Sequence, residues 1–110
     1  VPSFVEDVKE FFPQLKNIGS AFYRMDGVTV MPPHRDHYET YSKIFNVDKK
    51  DVRRVLIFLE DWKHGHYFEI DGAQYSNWKA GSCVMWTDEI HAAGNTGNEP
   101  RYTLQLTGHV

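Results

Sequence analysis

From Ile18 onward the chain is a series of short apolar-rich runs separated by turn residues, a pattern that predicts many short β-strands. The runs fall at 20–25, 28–31, 53–59, 67–70, 74–78, 83–87, 91–93 and 102–109. Asp26-Gly27, Asp71-Gly72, Ala80-Gly81 and the polar cluster at 95–100 supply the turns. The last run alternates: Tyr102, Leu104 and Leu106 belong to one face, Arg101, Thr103, Gln105 and Thr107 to the other.

The first residues read differently. Ser3-Phe4-Val5-Glu6 has the form of a capping box, with Phe4, Val5, Val8, Phe11 and Phe12 largely on one helical face and Pro13 as a stop. This predicts a helix over 3–12 and a β core over 18–110, one compact domain spanning 1–110. Residues 38–51 fit no strand; Tyr41, Ile44 and Phe45 among polar neighbours suggest a short helix or a loop over the mouth of the β core. So many strands at this spacing point to a sandwich or barrel with the helix packed outside.

Composition narrows the partners. At 110 residues, 41% hydrophobic and 25% charged, the chain can bury one core and has no run long enough to cross a bilayer. No basic stretch followed by an apolar one opens it, so no secretory leader is expected. A net charge of −3 argues against a nucleic-acid partner. The lone Cys83 excludes an intrachain disulfide and fits a reducing, cytoplasmic setting. Strand edges in so short a chain favour dimerisation, with the oligomeric state left open.

Two segments carry candidate chemistry. In Pro32-Pro33-His34-Arg35-Asp36 the prolines disfavour helix and end the preceding strand, and an extended backbone puts His34 and Asp36 on one face. A distant second histidine, His91, would complete a 2-His-1-carboxylate set suited to non-haem Fe(II). Arg101 opens the final strand ten positions later, and an arginine aimed into a barrel is costly unless an anion meets it. Its fork matches a carboxylate, and Thr103 on the same face adds a donor.

The ordered set His34, Asp36, His91, Arg101 and Thr103 resembles that of the Fe(II)/2-oxoglutarate-dependent oxygenases, from Ser20 to the C-terminus. Trp78, Gly81 and Trp86, followed by His91 and Asn95, look most like the prolyl hydroxylase and aspartyl/asparaginyl hydroxylase branches. Asp36 departs from the aspartyl branch, and Arg101 stands where prolyl hydroxylases tend to carry lysine. The resemblance implies a mainly β, cupin-like double-stranded β-helix, or jelly-roll, with a short N-terminal helix. It implies Fe(II) on the catalytic residues His34, Asp36 and His91, and 2-oxoglutarate on Arg101 and Thr103, with Tyr23 near enough to donate. Dioxygen is the oxidant, and an unactivated C–H bond of a small-molecule or peptidyl substrate is hydroxylated, with release of succinate and carbon dioxide.

Two other classes fit the same residues: a non-catalytic cupin-like binding module, and a cupin metalloenzyme that uses dioxygen without 2-oxoglutarate. The second would need His37, His64 or His66 at the metal. The plain readings place His37 behind the metal ligands or on the surface, His64 and His66 in a solvated turn, and His109 as exposed or structural. Asp88 and Glu89 form a turn, Asn95 another, and Cys83 is a core residue. Two of Trp62, Trp78 and Trp86 are expected in the core. One of Arg53 and Arg54 is expected to face substrate.

Overall fold

The computed structural model describes residues 3–110. Eight strands follow one short helix: α1 (Phe4–Lys9), β1 (Lys16–Met25), β2 (Thr29–His34), β3 (Val52–Phe58), β4 (His66–Ile70), β5 (Ala73–Tyr75), β6 (Cys83–Trp86), β7 (His91–Asn95) and β8 (Arg101–His109). Between β2 and β3 lie α2 (Glu39–Phe45) and a 3₁₀ turn (Lys49–Asp51), so most of residues 38–51 is helical rather than loop. The strands form two four-stranded antiparallel sheets, ordered β1-β8-β3-β6 and β2-β7-β4-β5.

Alternation along β3 and β8 builds two cores rather than one. Leu56 and Phe58 of β3 join Phe68, Ile70, Trp78, Trp86 and Ala93 between the sheets. Val55 and Ile57, with Leu104 and Leu106 of β8, face the other way and meet Val5 and Leu15. The helix therefore covers the outside of the first sheet, which is why β3 reads as an unbroken apolar run. Arg101 and Thr103 lie on the inner face of β8, in the alternation that the sequence predicts.

The capping box does not form. Ser3 has helical backbone angles and its hydroxyl caps nothing; its carbonyl accepts from the Glu6 amide, while the Glu6 carboxylate pairs with Lys9. The helix also ends at Lys9 instead of Phe12, because the amides of Glu10, Phe11 and Phe12 turn to carbonyls three residues back. Only Val5, Val8 and Phe12 of the apolar face pack inward, and Phe11 is 79% exposed.

Pro32 and Pro33 do not end β2. The strand runs through both to His34, with its pairing to β7 shifted between Met31 and His34. β2 lies at a sheet edge, where a missing amide hydrogen on the outer side costs no ladder bond. Cys83 is exposed, not core: alternation sends Cys83 and Met85 outward and Trp86 inward.

Gly65 and Gly97 fix where two loops meet. Gly65 has φ +92°, and a methyl group on either glycine would strike the other loop's backbone. The Gly65 carbonyl accepts the Thr96 amide at 2.9 Å, and Asn95, fully buried, closes the same turn by accepting from the Gly97 amide.

Candidate functional site

β2 and β7 are paired so that His34 stands directly opposite His91, their rings 4.2 Å apart. Asp36 follows just after β2 and turns inward, while His37 beside it is exposed. One donor atom from each of His34, Asp36 and His91 can be chosen so that all three lie within 4.8 Å of one another. Both histidines are pinned by a backbone carbonyl: His34 Nδ1 lies 3.0 Å from Pro32 O, and His91 Nδ1 lies 3.0 Å from Glu89 O. A carbonyl can only accept, so each Nδ1 carries the hydrogen and each Nε2 presents a lone pair. His34 Nε2 lies 3.6 Å from Asp36 Oδ1, and His91 Nε2 lies 3.5 Å from Asp36 Oδ2.

Asp36 is held through Oδ2. The Trp86 indole donates to Oδ2 at 2.9 Å and Arg54 Nη1 lies 3.1 Å from the same oxygen. Burial pushes this carboxyl up, but Trp86, Arg54 and His91 together outweigh burial and hold it below the usual carboxylate range. Tyr38, in a left-handed conformation with φ 54°, donates its hydroxyl to Thr87 O and lies under the Arg54 guanidinium. Its hydroxyl is pushed up by burial and by nearby Asp36, so it remains a donor.

The cavity beside these residues holds about 270 Å³ and is lined by the triad together with Arg101, Thr103 and Tyr23. Arg101 is 6% exposed, yet no carboxylate meets it. Its Nη1 makes one long contact, 3.5 Å, to Tyr67 O; its Nε has no partner, and its guanidinium sits over the Phe68 ring. Burial pushes its pKa down to about 10. Thr103 is 1% exposed on the same face of β8, and Tyr23 is its direct cross-strand partner on β1, half exposed.

The remaining histidines stay out of the triad. His64 is exposed, whereas His66 is buried rather than solvated, its Nε2 against Glu99 O at 2.9 Å and its ring stacked on Trp78. His109 is buried and bonded to Asn17, a structural position. Glu89 closes the turn before His91 by accepting the Thr87 amide. Trp78 and Trp86 are core and Trp62 is partly buried. Of the two arginines, Arg54 lines the cavity, while Arg53 turns back to the carbonyls of Lys50 and Val52.

No family model matches the sequence, and no curated protein does. Solved structures do match by shape. A conserved Klebsiella pneumoniae protein with a double-stranded β-helix domain superposes with a TM-score of 0.57 at 12% identity, over 86% of this chain and 70% of that one. The cupin domain of Schizosaccharomyces pombe Cnp3 gives 0.58 at 8% identity, over 84% and 53%.

The fold is a cupin-like double-stranded β-helix.

Within that fold a non-haem monooxygenase, ThoJ, solved with nickel, gives a TM-score of 0.62 at 16% identity, over 83% of this chain and 42% of that one. The chain thus spans about half the length of the Cnp3 domain and less of ThoJ. The matching folds thus include an enzyme, ThoJ, and the Cnp3 cupin domain. Among the described residues, no helix is long and apolar enough to cross a membrane.

Proposed function

We propose that the chain is an Fe(II)/2-oxoglutarate-dependent oxygenase that hydroxylates an unactivated C–H bond, with release of succinate and carbon dioxide. The observation that carries this reading is Arg101: a buried guanidinium with no carboxylate partner, opening into the same cavity as His34, Asp36 and His91. A buried cation left unpaired costs several kcal/mol, roughly 3–5, unless a ligand supplies the missing anion. A dicarboxylate suits both ends of the cavity, one carboxylate on Arg101 and the other toward the triad.

The donor set fits the metal. Two imidazole nitrogens and one carboxylate oxygen, each histidine turned by a backbone carbonyl, match a ferrous 2-His-1-carboxylate centre with open positions. Iron bound there supplies the activation of dioxygen and of the 2-oxo acid. His34, Asp36 and His91 would hold it; Arg101 and Thr103 orient the far carboxylate, and Tyr23 adds a hydroxyl beside Thr103. Phe68 and Leu56 close the cavity wall against water. The substrate is a prolyl, aspartyl or asparaginyl residue or a small molecule, entering on the His34 side, whose imidazole is 37% exposed against 3% for His91.

Succinate formed from 2-oxoglutarate in air, with Fe(II) and no added substrate, tests this directly. Formation that stops in His91→Ala and needs much more 2-oxoglutarate in Arg101→Lys supports the reading. Iron uptake with no succinate under any condition, and no 2-oxoglutarate binding, would contradict it.

A further inference from the structure

Arg54 and Trp86 face each other directly across β3 and β6, and both reach the same atom, Asp36 Oδ2. Two donors at 2.9 and 3.1 Å occupy the lone pairs of that oxygen. Oδ1 has no hydrogen-bond donor among the described residues and lies 3.6 Å from His34 Nε2. Arg54 is itself braced: its Nε donates to Thr107 Oγ1 at 3.1 Å, and its guanidinium lies 5.1 Å from the centre of the Tyr38 ring. The guanidinium is therefore fixed from β8 and from the segment that carries Asp36, and cannot follow the carboxylate if it turns.

We propose that Arg54 and Trp86 are positioning residues that hold Asp36 by Oδ2, the oxygen 3.5 Å from His91 Nε2, so that Oδ1, 3.6 Å from His34 Nε2, is the oxygen left free as the carboxylate donor to the metal. The proposal rests on the metal reading of the triad and adds two residues to it. Without them the carboxylate is free to rotate or to chelate with both oxygens, taking a position that the cosubstrate needs. Partners that orient a metal ligand in this way are worth about 10–100-fold in metal affinity.

The test is anaerobic titration of the purified chain with Fe(II), and with Co(II) as a spectroscopic probe, in wild type, Trp86→Phe, Arg54→Met and Arg54→Lys. Trp86→Phe removes the N–H and keeps a ring in the core. Both Trp86→Phe and Arg54→Met are expected to bind metal about 10–100-fold more weakly. Their Co(II) absorption should change in shape, as a second carboxylate oxygen or water joins the ion. Arg54→Lys keeps the charge and should fall between wild type and Arg54→Met. A purely structural ion pair would shift the melting temperature of the metal-free protein and leave the Co(II) spectrum as it was. If Trp86→Phe does not fold, the two Arg54 variants decide. Wild-type affinity and spectrum in Arg54→Met would overturn the positioning role while the triad stood. Failure of the wild type to take up metal would overturn the triad, and the positioning role with it.

Discussion

His34 and His91 are cross-strand partners on β2 and β7, each turned by a carbonyl two residues before it in the chain, Pro32 O and Glu89 O. The strand register thus brings the rings together, and the local backbone sets which nitrogen each presents. His91→Ala removes one of three donors and should abolish tight Fe(II) or Co(II) binding. His64→Ala, in an exposed loop, should leave it unchanged. Equilibrium dialysis of the variants checks both.

Arg101 makes a prediction of opposite sign for stability and for ligand. Its buried charge lacks an anion in the ligand-free chain, so Arg101→Met should make that form more stable at neutral pH, by about 1–3 kcal/mol. The same change should remove the rise in melting temperature that 2-oxoglutarate gives the wild type. The pH dependence follows from the lowered pKa, about 10 in the folded chain and higher in the unfolded one. Between those values the unfolded chain binds more protons, so wild-type stability gains with pH there. The advantage of Arg101→Met is full below pH 10 and shrinks above it. Thermal melts with and without 2-oxoglutarate, across pH, read all three effects.

The core between the sheets depends on an aromatic stack. Trp78 lies parallel to Phe58, with centroids 3.9 Å apart and rings 14° from parallel, although Trp78 sits in a loop after β5. Trp78→Ala should cost about 3–5 kcal/mol, measured by chemical denaturation.

The loop junction should be as sensitive as the core. Gly65→Ala meets both a positive φ and the backbone of Gly97, and is expected to destabilise by about 1–3 kcal/mol. Gly72→Ala, also at positive φ but with open space around it, should cost less. Denaturant midpoints of the two variants give the comparison.

Much of the fold was legible because alternation is a local property. The inward Arg101 and Thr103 and outward Leu104 and Leu106 of β8 can be read two residues at a time. The His34-x-Asp36 pair was legible for the same reason, and His91 and Arg101 followed from their order in the chain. Trp86 and Arg54 as supports of Asp36 were not. A tryptophan in an apolar strand reads as core whether or not its N–H has a task, and only the β3–β6 register places it opposite Arg54. The failed cap at Ser3 lies in its helical backbone angles, which a capping pattern does not fix, and the continuation of β2 through two prolines has a tertiary cause, β2 lying at a sheet edge. Cys83 was misplaced because the residues that follow it, Val84, Met85 and Trp86, are all apolar, and alternation in a four-residue strand sets no phase without its partner.

The most direct test is anaerobic titration of the Fe(II)-loaded chain with 2-oxoglutarate, followed by visible absorption. A metal-to-ligand charge-transfer band is expected to grow to saturation, to be absent in His91→Ala, and to need much more 2-oxoglutarate in Arg101→Met. Bound iron with no band at any 2-oxoglutarate concentration would contradict the shared site of metal and dicarboxylate.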